Sequence, residues 1–340
     1  MTSTPAEHSF DAAAKEAALR AESETWDTSS PIDAAPGDVP VIDISSYRTS
    51  RDPAVRDAVA AELRQACETV GFWQLTGHGI DTDLIARTFD ASAEFHALPI
   101  GIKEEIVMDD PSRSLGGVGY LPVGHRKLPA RAAANWNEAI VFKTGADISL
   151  DDNPWPSEDS VPGFRSTIEE YNTAVISLAT ELLALYATAL GVNSDFFAEA
   201  FDPPFGRLRL THYPAADGEP ELGIQPHVDT TFFTLLQQDA PGLAIYHHPK
   251  EAWMNVPVVD GAFVVNSGEL LKRWTNDRFL SVRHFARVPD QAGSRYSIPL
   301  FVNADRDYVM ETIPTCVDEG HPAKYAPISY NQSQAAVQGE

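Results

Sequence analysis

The 340-residue sequence is poor in cysteine, poor in basic charge and without long apolar runs. Its two cysteines, Cys67 and Cys316, are far apart and form no CxxC pair, which argues against a disulfide framework or a thiolate zinc site and leads us to expect a reducing compartment. Lys and Arg number 25 against 49 acids, a formal net charge of -24 with no basic run, so no nucleic-acid partner is expected. No uncharged apolar stretch reaches the roughly 18 residues of a membrane span. The N-terminal "MTSTPAEHSFDAAAKEAALR" lacks a basic region ahead of an apolar core. No membrane association is expected, and a cytoplasmic, freely diffusing protein follows.

What is present is ample apolar material, 43% of the chain, for a folded core. Residues 1–36, rich in Ala, Ser and acids and closed by "APG", read as a flexible acidic extension. From Val39 the texture changes. "VPVIDIS" reads as a strand, "PAVRDAVAAELRQACETV" behind Asp52 and Pro53 as a helix, "GFWQLTGHGI" as a strand, and "DTDLIARTFDASAEFHALP" as a second helix stopped by Pro99. Residues 115–140 read as a long ordered loop leading into a strand "EAIVFKTG"; Tyr120, Arg126 and Trp136 in it are candidates for meeting a ligand. "GFRSTIEEYNTAVISLATELLALYATALGV" carries the strongest helical period and is expected to be the scaffold helix.

Strand patterns then follow one another: "FGRLRLTHYP", "TTFFTLLQQD", "LAIYHH", "WMNVPV", "AFVVNSG", "RHFARV" and "RYSIPLFV". Short strands at this spacing predict an antiparallel sandwich or barrel. With no linker evident, the expectation is an α+β fold in which an N-terminal region, 37–165, and a strand-rich region, 166–340, make one structural domain.

Within "GIQPHVDTTFFTLLQQD", read as strand for most of its length, His227 and Asp229 stand two residues apart and so share a face. An imidazole and a carboxylate so placed can grip one ion, and a second histidine would complete the set used by non-haem Fe(II). The other histidines, His8, His78, His96, His125, His212, His247, His248, His284 and His321, are the candidates. His284, in "FLSVRHFARV", reaches His227 if the sheet folds over as a jelly roll. Arg295 and Ser297 share another strand face and together suit a carboxylate. His212 should point away from Tyr213, His247 and His248 read as exposed turn residues, and Phe232 and Phe233 as core.

The ordered blocks "LRLTHYP", "PHVD", "PGLAIY", "GAFVVNSGE", "SVRH" and "RYS", with "VPVIDIS" and "VGFWQLTGHGI" upstream, resemble the Fe(II)- and 2-oxoglutarate-dependent dioxygenases of the isopenicillin N synthase-like group. The resemblance runs from about Val39 to about Val302. It implies a double-stranded β-helix, a form of jelly roll, with supporting helices. It implies that His227, Asp229 and His284 are iron ligands, that Arg295 and Ser297 hold the distal carboxylate of 2-oxoglutarate, that Tyr213 helps to bind this co-substrate, and that Asn266 is a support behind the site. The implied activity is oxygenation of a small-molecule metabolite, by default hydroxylation, with O2 consumed and succinate and CO2 released; desaturation and cyclisation are variants.

Thr211 and His212 replace a frequent Asn-Tyr pair, Phe285 a common arginine and Ala244 a frequent glutamine, which alters the walls expected near the site. Three alternatives stay open on sequence alone: an oxidase of the same fold that does not use 2-oxoglutarate, a non-catalytic small-molecule binding protein, and a zinc or manganese enzyme on the same ligands.

Overall fold

The chain joins the fold before its composition changes. The structure is a computed structural model, and it describes residues 27–108, 117–124, 134–144, 150–202, 204–215, 222–289 and 293–333. Within the stretch expected as a flexible extension, Ile32–Asp33 forms a strand, β1, paired in parallel with a later strand, and the Arg287 guanidinium donates to the carbonyls of Thr28 and Ser29. Backbone groups make these contacts, so side-chain composition carries no sign of them.

Val41–Asp43 (β2) and Ser45–Thr49 (α1) lead to Pro53–Thr69 (α2), where the Asp52 side chain accepts from the Ala54 N–H and proline occupies the first turn. Phe72–Thr76 (β3), Thr82–His96 (α3, capped by Asp81) and Ile100–Glu104 (α4) follow. The stretch read as a long loop contains a short strand, Gly119–Leu121 (β4), before Glu138–Thr144 (β5). His125 and Arg126 lie outside the described residues.

Phe164–Leu190 (α5) is the scaffold helix. Among the described helices it alone is long and apolar enough to cross a membrane by length and composition, yet Ile168, Val175, Leu182 and Tyr186 are buried in the core, where α5 packs on α2 and α3. Beyond it come Phe205–Pro214 (β6), Leu222–His227 (β7), Phe233–Gln238 (β8), Leu243–His247 (β9), Ala252–Asn255 (β10), Phe263–Ser267 (β11), Glu269–Trp274 (α6), His284–Arg287 (β12) and Ser294–Asn303 (β13).

These strands form two sheets, in the order β2-β3-β11-β8-β13-β6-β5-β4 and β1-β10-β9-β12-β7. The outer face of the larger sheet meets the helices: Leu208, Leu210, Leu235, Val265 and Leu300 join one apolar cluster with α2, α3 and α5. Its inner face looks toward the smaller sheet, as in a jelly roll.

The stretch from Gly223 to Asp239 is two strands, one in each sheet, rather than mostly one. The chain crosses between sheets at 228–232, and there the carbonyls of Asp229, Phe232 and Thr231 accept from the N–H groups of Glu269, Gly268 and Leu270 at the start of α6. Gly268 is required by this close approach, because a Cβ there would collide with the backbone of Thr231. No strand period encodes such a break; it is set by a helix start some forty residues later.

Candidate metal centre and co-substrate pocket

The crossing puts Asp229 at the inner ends of both sheets. His227 closes β7, and His284 opens β12 directly opposite it in the antiparallel register, so the two imidazoles face each other with ring centroids 4.3 Å apart. Nε2 of His227 lies 3.6 Å and Nε2 of His284 3.7 Å from Oδ1 of Asp229. One ligand atom from each of the three residues falls within 4.8 Å of the others.

The remaining polar atoms of the trio are already committed. His227 Nδ1 is paired with the Gln225 carbonyl at 2.9 Å and His284 Nδ1 with the Val282 carbonyl at 3.1 Å. Those carbonyls can only accept, so each Nδ1 carries the proton and each Nε2 presents a lone pair. Asp229 Oδ2 accepts from Thr234 Oγ1 at 2.7 Å and from Asn266 Nδ2 at 2.9 Å, which leaves Oδ1 for the imidazoles or an ion. Burial alone would raise the Asp229 carboxyl; the two imidazoles and these two donors outweigh it and hold the group below the ordinary carboxylate range. Two neutral nitrogens and one carboxylate oxygen, converging with every other atom satisfied, fit a divalent ion with open positions for further ligands.

Arg295, Ser297 and Tyr213 line the same cavity as the trio, a space of about 500 Å³ including its mouth. Arg295 and Tyr213 are register partners on β13 and β6. The guanidinium carbon is 4.5 Å from the centre of the Tyr213 ring, and the Tyr213 hydroxyl is 3.2 Å from that of Ser297. Arg295 is 1% exposed. Its Nε donates to the Ala240 carbonyl and its Nη2 to Gln238 Oε1, while Nη1 is buried with no partner among the described residues. Gly242, at φ +148, stands where a Cβ would press on the Arg295 side chain. Phe72, Ile224, Leu236, Leu243, Pro299 and Phe301 supply apolar wall.

Asn266 is the support that the resemblance implied, and Thr234, which the sequence reading passed over, is its partner. The signal available was alternation: Thr234 is paired across strands with Asn266 and therefore shares its face. His212 points to the outer face, where it meets Glu138 and Ser294. Tyr120 also turns outward, to Glu138, and Trp136 lies beside β7, its backbone N–H donating to the Leu222 carbonyl.

His247 is a correction: it is buried, with Nε2 3.1 Å from the Asp38 carbonyl, because the chain before β2 passes over it, whereas His248 is exposed. Of the replacements expected to alter the walls near the site, Phe285 is among the residues that line the cavity, and Ala244 lies beside it in a small apolar cluster with Trp253. Phe285 is the cross-strand partner of Ala244 and packs edge-on against Trp253. Phe232 and Phe233 are both core.

Residues 39–158 match the family model described as the N-terminal region of non-haem dioxygenases in morphine synthesis, and residues 204–304 match that of the 2OG-Fe(II) oxygenase superfamily. The 2-oxoglutarate-Fe(II) type oxidoreductase hxnY of Emericella nidulans is 34% identical, over 87% of this chain and 88% of its own. Kihadalactone A synthase of Citrus sinensis is 31% identical, over 79% and 84%. Among solved structures, a full-length Neurospora crassa protein in complex with alpha-KG and thymine is similar with a TM-score of 0.80 at 27% identity, covering 90% of this chain and 98% of that one.

Proposed function

The chain belongs to the 2OG-Fe(II) oxygenase superfamily, and we propose that within it His227, Asp229 and His284 hold the iron while Arg295, Ser297 and Tyr213 hold the far carboxylate of 2-oxoglutarate. It is an Fe(II)- and 2-oxoglutarate-dependent oxygenase that acts on a small molecule. The observation that carries the residue assignment is the convergence of three otherwise satisfied ligand groups at one end of a cavity whose polar lining also includes a buried guanidinium with a spare donor.

Bound iron and its co-substrate supply the oxygen chemistry: O2 is divided between 2-oxoglutarate, which becomes succinate and CO2, and a substrate C–H bond, which becomes C–OH. The protein's own residues do the rest. The Gln225 and Val282 carbonyls fix the tautomer and ring angle of the two ligating imidazoles. Thr234 and Asn266 keep Asp229 to a single free oxygen. Arg295, shielded from water, offers the anion a fixed fork at little reorganisation cost, and the Tyr213 and Ser297 hydroxyls add donors. The apolar wall keeps water from the reacting carbon. Hydroxylation is the outcome we assign to this arrangement.

An anaerobic titration tests the assignment. Full-length protein with Fe(II) should develop a visible charge-transfer band when 2-oxoglutarate is added, and Asp229→Ala and His284→Ala should lack it. A band that survives both substitutions would mean that the metal is held elsewhere.

A further inference from the structure

The inner face of the larger sheet carries a second group of cations that the centre described above leaves unused. One rung crosses this sheet at the level of the metal centre: Asn266 on β11, Thr234 on β8, Phe301 on β13, Arg207 on β6 and Lys143 on β5 are register partners in turn. Asn266 and Thr234 are the residues that grip Asp229. Arg207 therefore stands two strands from Thr234, about 10 Å at ordinary strand spacing, with only the cavity-lining Phe301 between them. Arg209 occupies the same face two residues further along β6. Arg306, just past β13, sets its guanidinium 4.4 Å from the Phe205 ring centre, while that of Arg207 is 5.8 Å from the same ring.

A chain with so large an acidic excess has carboxylates to spare, yet among the described residues none pairs with any of these four cations. Arg209 donates through Nη2 to Asn137 Oδ1 at 2.8 Å. Its Nε, and that of Arg207, are buried without a partner in side chains 4% and 8% exposed. Burial pushes the Arg207 guanidinium below its ordinary range, with the like charge of Arg306 adding to it and the Tyr330 phenol opposing; Lys143 is pushed down by burial and then by both arginines. Like charges gathered in a half-dry site are costly unless an anion completes them. The cavity that holds the metal centre reaches the apolar Phe301 and Pro299, and Phe301 is the cross-strand neighbour of Arg207.

We propose that the substrate is an organic anion with an apolar body, a carboxylate in the simplest case. Its charged group is received by Arg207 together with Lys143, Arg209 and Arg306, and its body lies over Phe301 toward the metal centre. The inference rests on the iron assignment of His227, Asp229 and His284. A guanidinium fork suits a carboxylate bidentately, and anchoring the charge about 10 Å from the Asp229 side presents a carbon several bonds away from it for attack. The same cluster leaves a neutral analogue facing four uncompensated charges, which is a basis for selection.

The test is calorimetric binding to full-length protein saturated with 2-oxoglutarate and a redox-inert divalent metal. The probes are acid and amide pairs: benzoate and benzamide, phenylacetate and phenylacetamide, cyclohexanecarboxylate and its amide, hexanoate and hexanamide. At least one acid should bind about tenfold or more tightly than its amide, as charge-assisted bonds to a buried arginine require. Arg207→Gln and Lys143→Gln should each lose most of that preference, Arg207→Lys should keep part of it, and 2-oxoglutarate affinity should be unchanged in all three. Amides equal to acids, no acid bound while 2-oxoglutarate binds, or an unaltered preference in both Gln variants would overturn the proposal and leave the metal assignment standing. Failure of the wild-type protein to bind 2-oxoglutarate would overturn both. If Arg207→Gln does not fold, the half-buried Lys143 and Arg306, each changed to Gln, carry the same decision.

Discussion

Neighbouring residues of β6, His212 and Tyr213, open onto two buried polar regions on opposite faces of one sheet. On the outer face His212 Nδ1 meets Glu138 Oε1 at 2.8 Å, Lys103 Nζ meets Glu138 Oε2 at 2.8 Å, the Tyr120 hydroxyl donates to the same oxygen, and His212 stacks on Tyr296. Positive and negative charge are matched there. On the inner face Arg295 Nη1, the Nε atoms of Arg207 and Arg209, Thr211 Oγ1 and Asn303 Oδ1 are buried without partners among the described residues. Burial and polarity are common to both faces, so neither marks the site. Unmatched charge does: the outer cation is paired with Glu138, whereas the buried inner guanidiniums keep donors without an acceptor among the described residues, and a buried charge so placed is costly unless a ligand completes it.

The most severe way to break this comparison is to remove the outer anion. In Glu138→Gln the buried Lys103 ammonium loses its counter-charge, and a loss of about 3–5 kcal/mol in unfolding free energy is expected. Urea unfolding reads it. Protein that remains folded should bind 2-oxoglutarate with unchanged affinity, and a parallel fall in affinity would show that the two faces are not independent.

Arg295→Gln probes the inner face and should behave in the opposite sense. With charge-assisted donors to the co-substrate gone, affinity for 2-oxoglutarate should fall by about 10- to 100-fold. Unfolding free energy should change little, because a partly unsatisfied buried cation is removed with them. Equilibrium binding under anaerobic conditions decides it: an unchanged affinity would assign the carboxylate to another cation, with Arg209 the nearest on that face.

The convergence of His227, Asp229 and His284, and the shared face of Arg295 and Ser297, were legible in sequence because their order matches a family pattern and because alternation along a strand is simple. Arg295 with Ser297, and Tyr213 opposite to His212, needed only a period of two. What sequence left hidden depends on partners distant along the chain. Thr234 acquires its role from Asn266 across a ladder, the break at Asp229 from the start of α6, the burial of His247 from Asp38, and the Phe285–Ala244 pair from the adjacency of β12 and β9. The cation cluster was equally out of reach, since Lys143, Arg207 and Arg306 have no common spacing and meet only through sheet register and a turn after β13.

The smallest expected effect tests whether the outer face is as closed as its pairing implies. His96 lies in that region, its ring 5.4 Å from that of His212, with Nδ1 donating to the Ser92 carbonyl at 2.7 Å and Nε2 buried without a partner among the described residues. Burial pushes its pKa down to about 3 from an ordinary 6.5. Between those values the unfolded chain binds a proton that the folded chain refuses, so the stability present above pH 6.5 declines as pH falls, by up to about 1.4 kcal/mol per pH unit. Glu138 adds to the loss only lower down. Burial opposes its ionisation, but His212, His96, Lys103 and Tyr120 hold it at about 2 against an ordinary 4.5, so its contribution is complete above 4.5 and fades toward 2. The window from 6.5 to 4.5 therefore separates the two groups. Thermal midpoints measured across it should fall less steeply in His96→Gln than in the wild type, with 2-oxoglutarate affinity at neutral pH unchanged. An identical slope would move the acid sensitivity off the outer face, and the contrast between a closed face and a receptive one would then rest on hydrogen bonding alone.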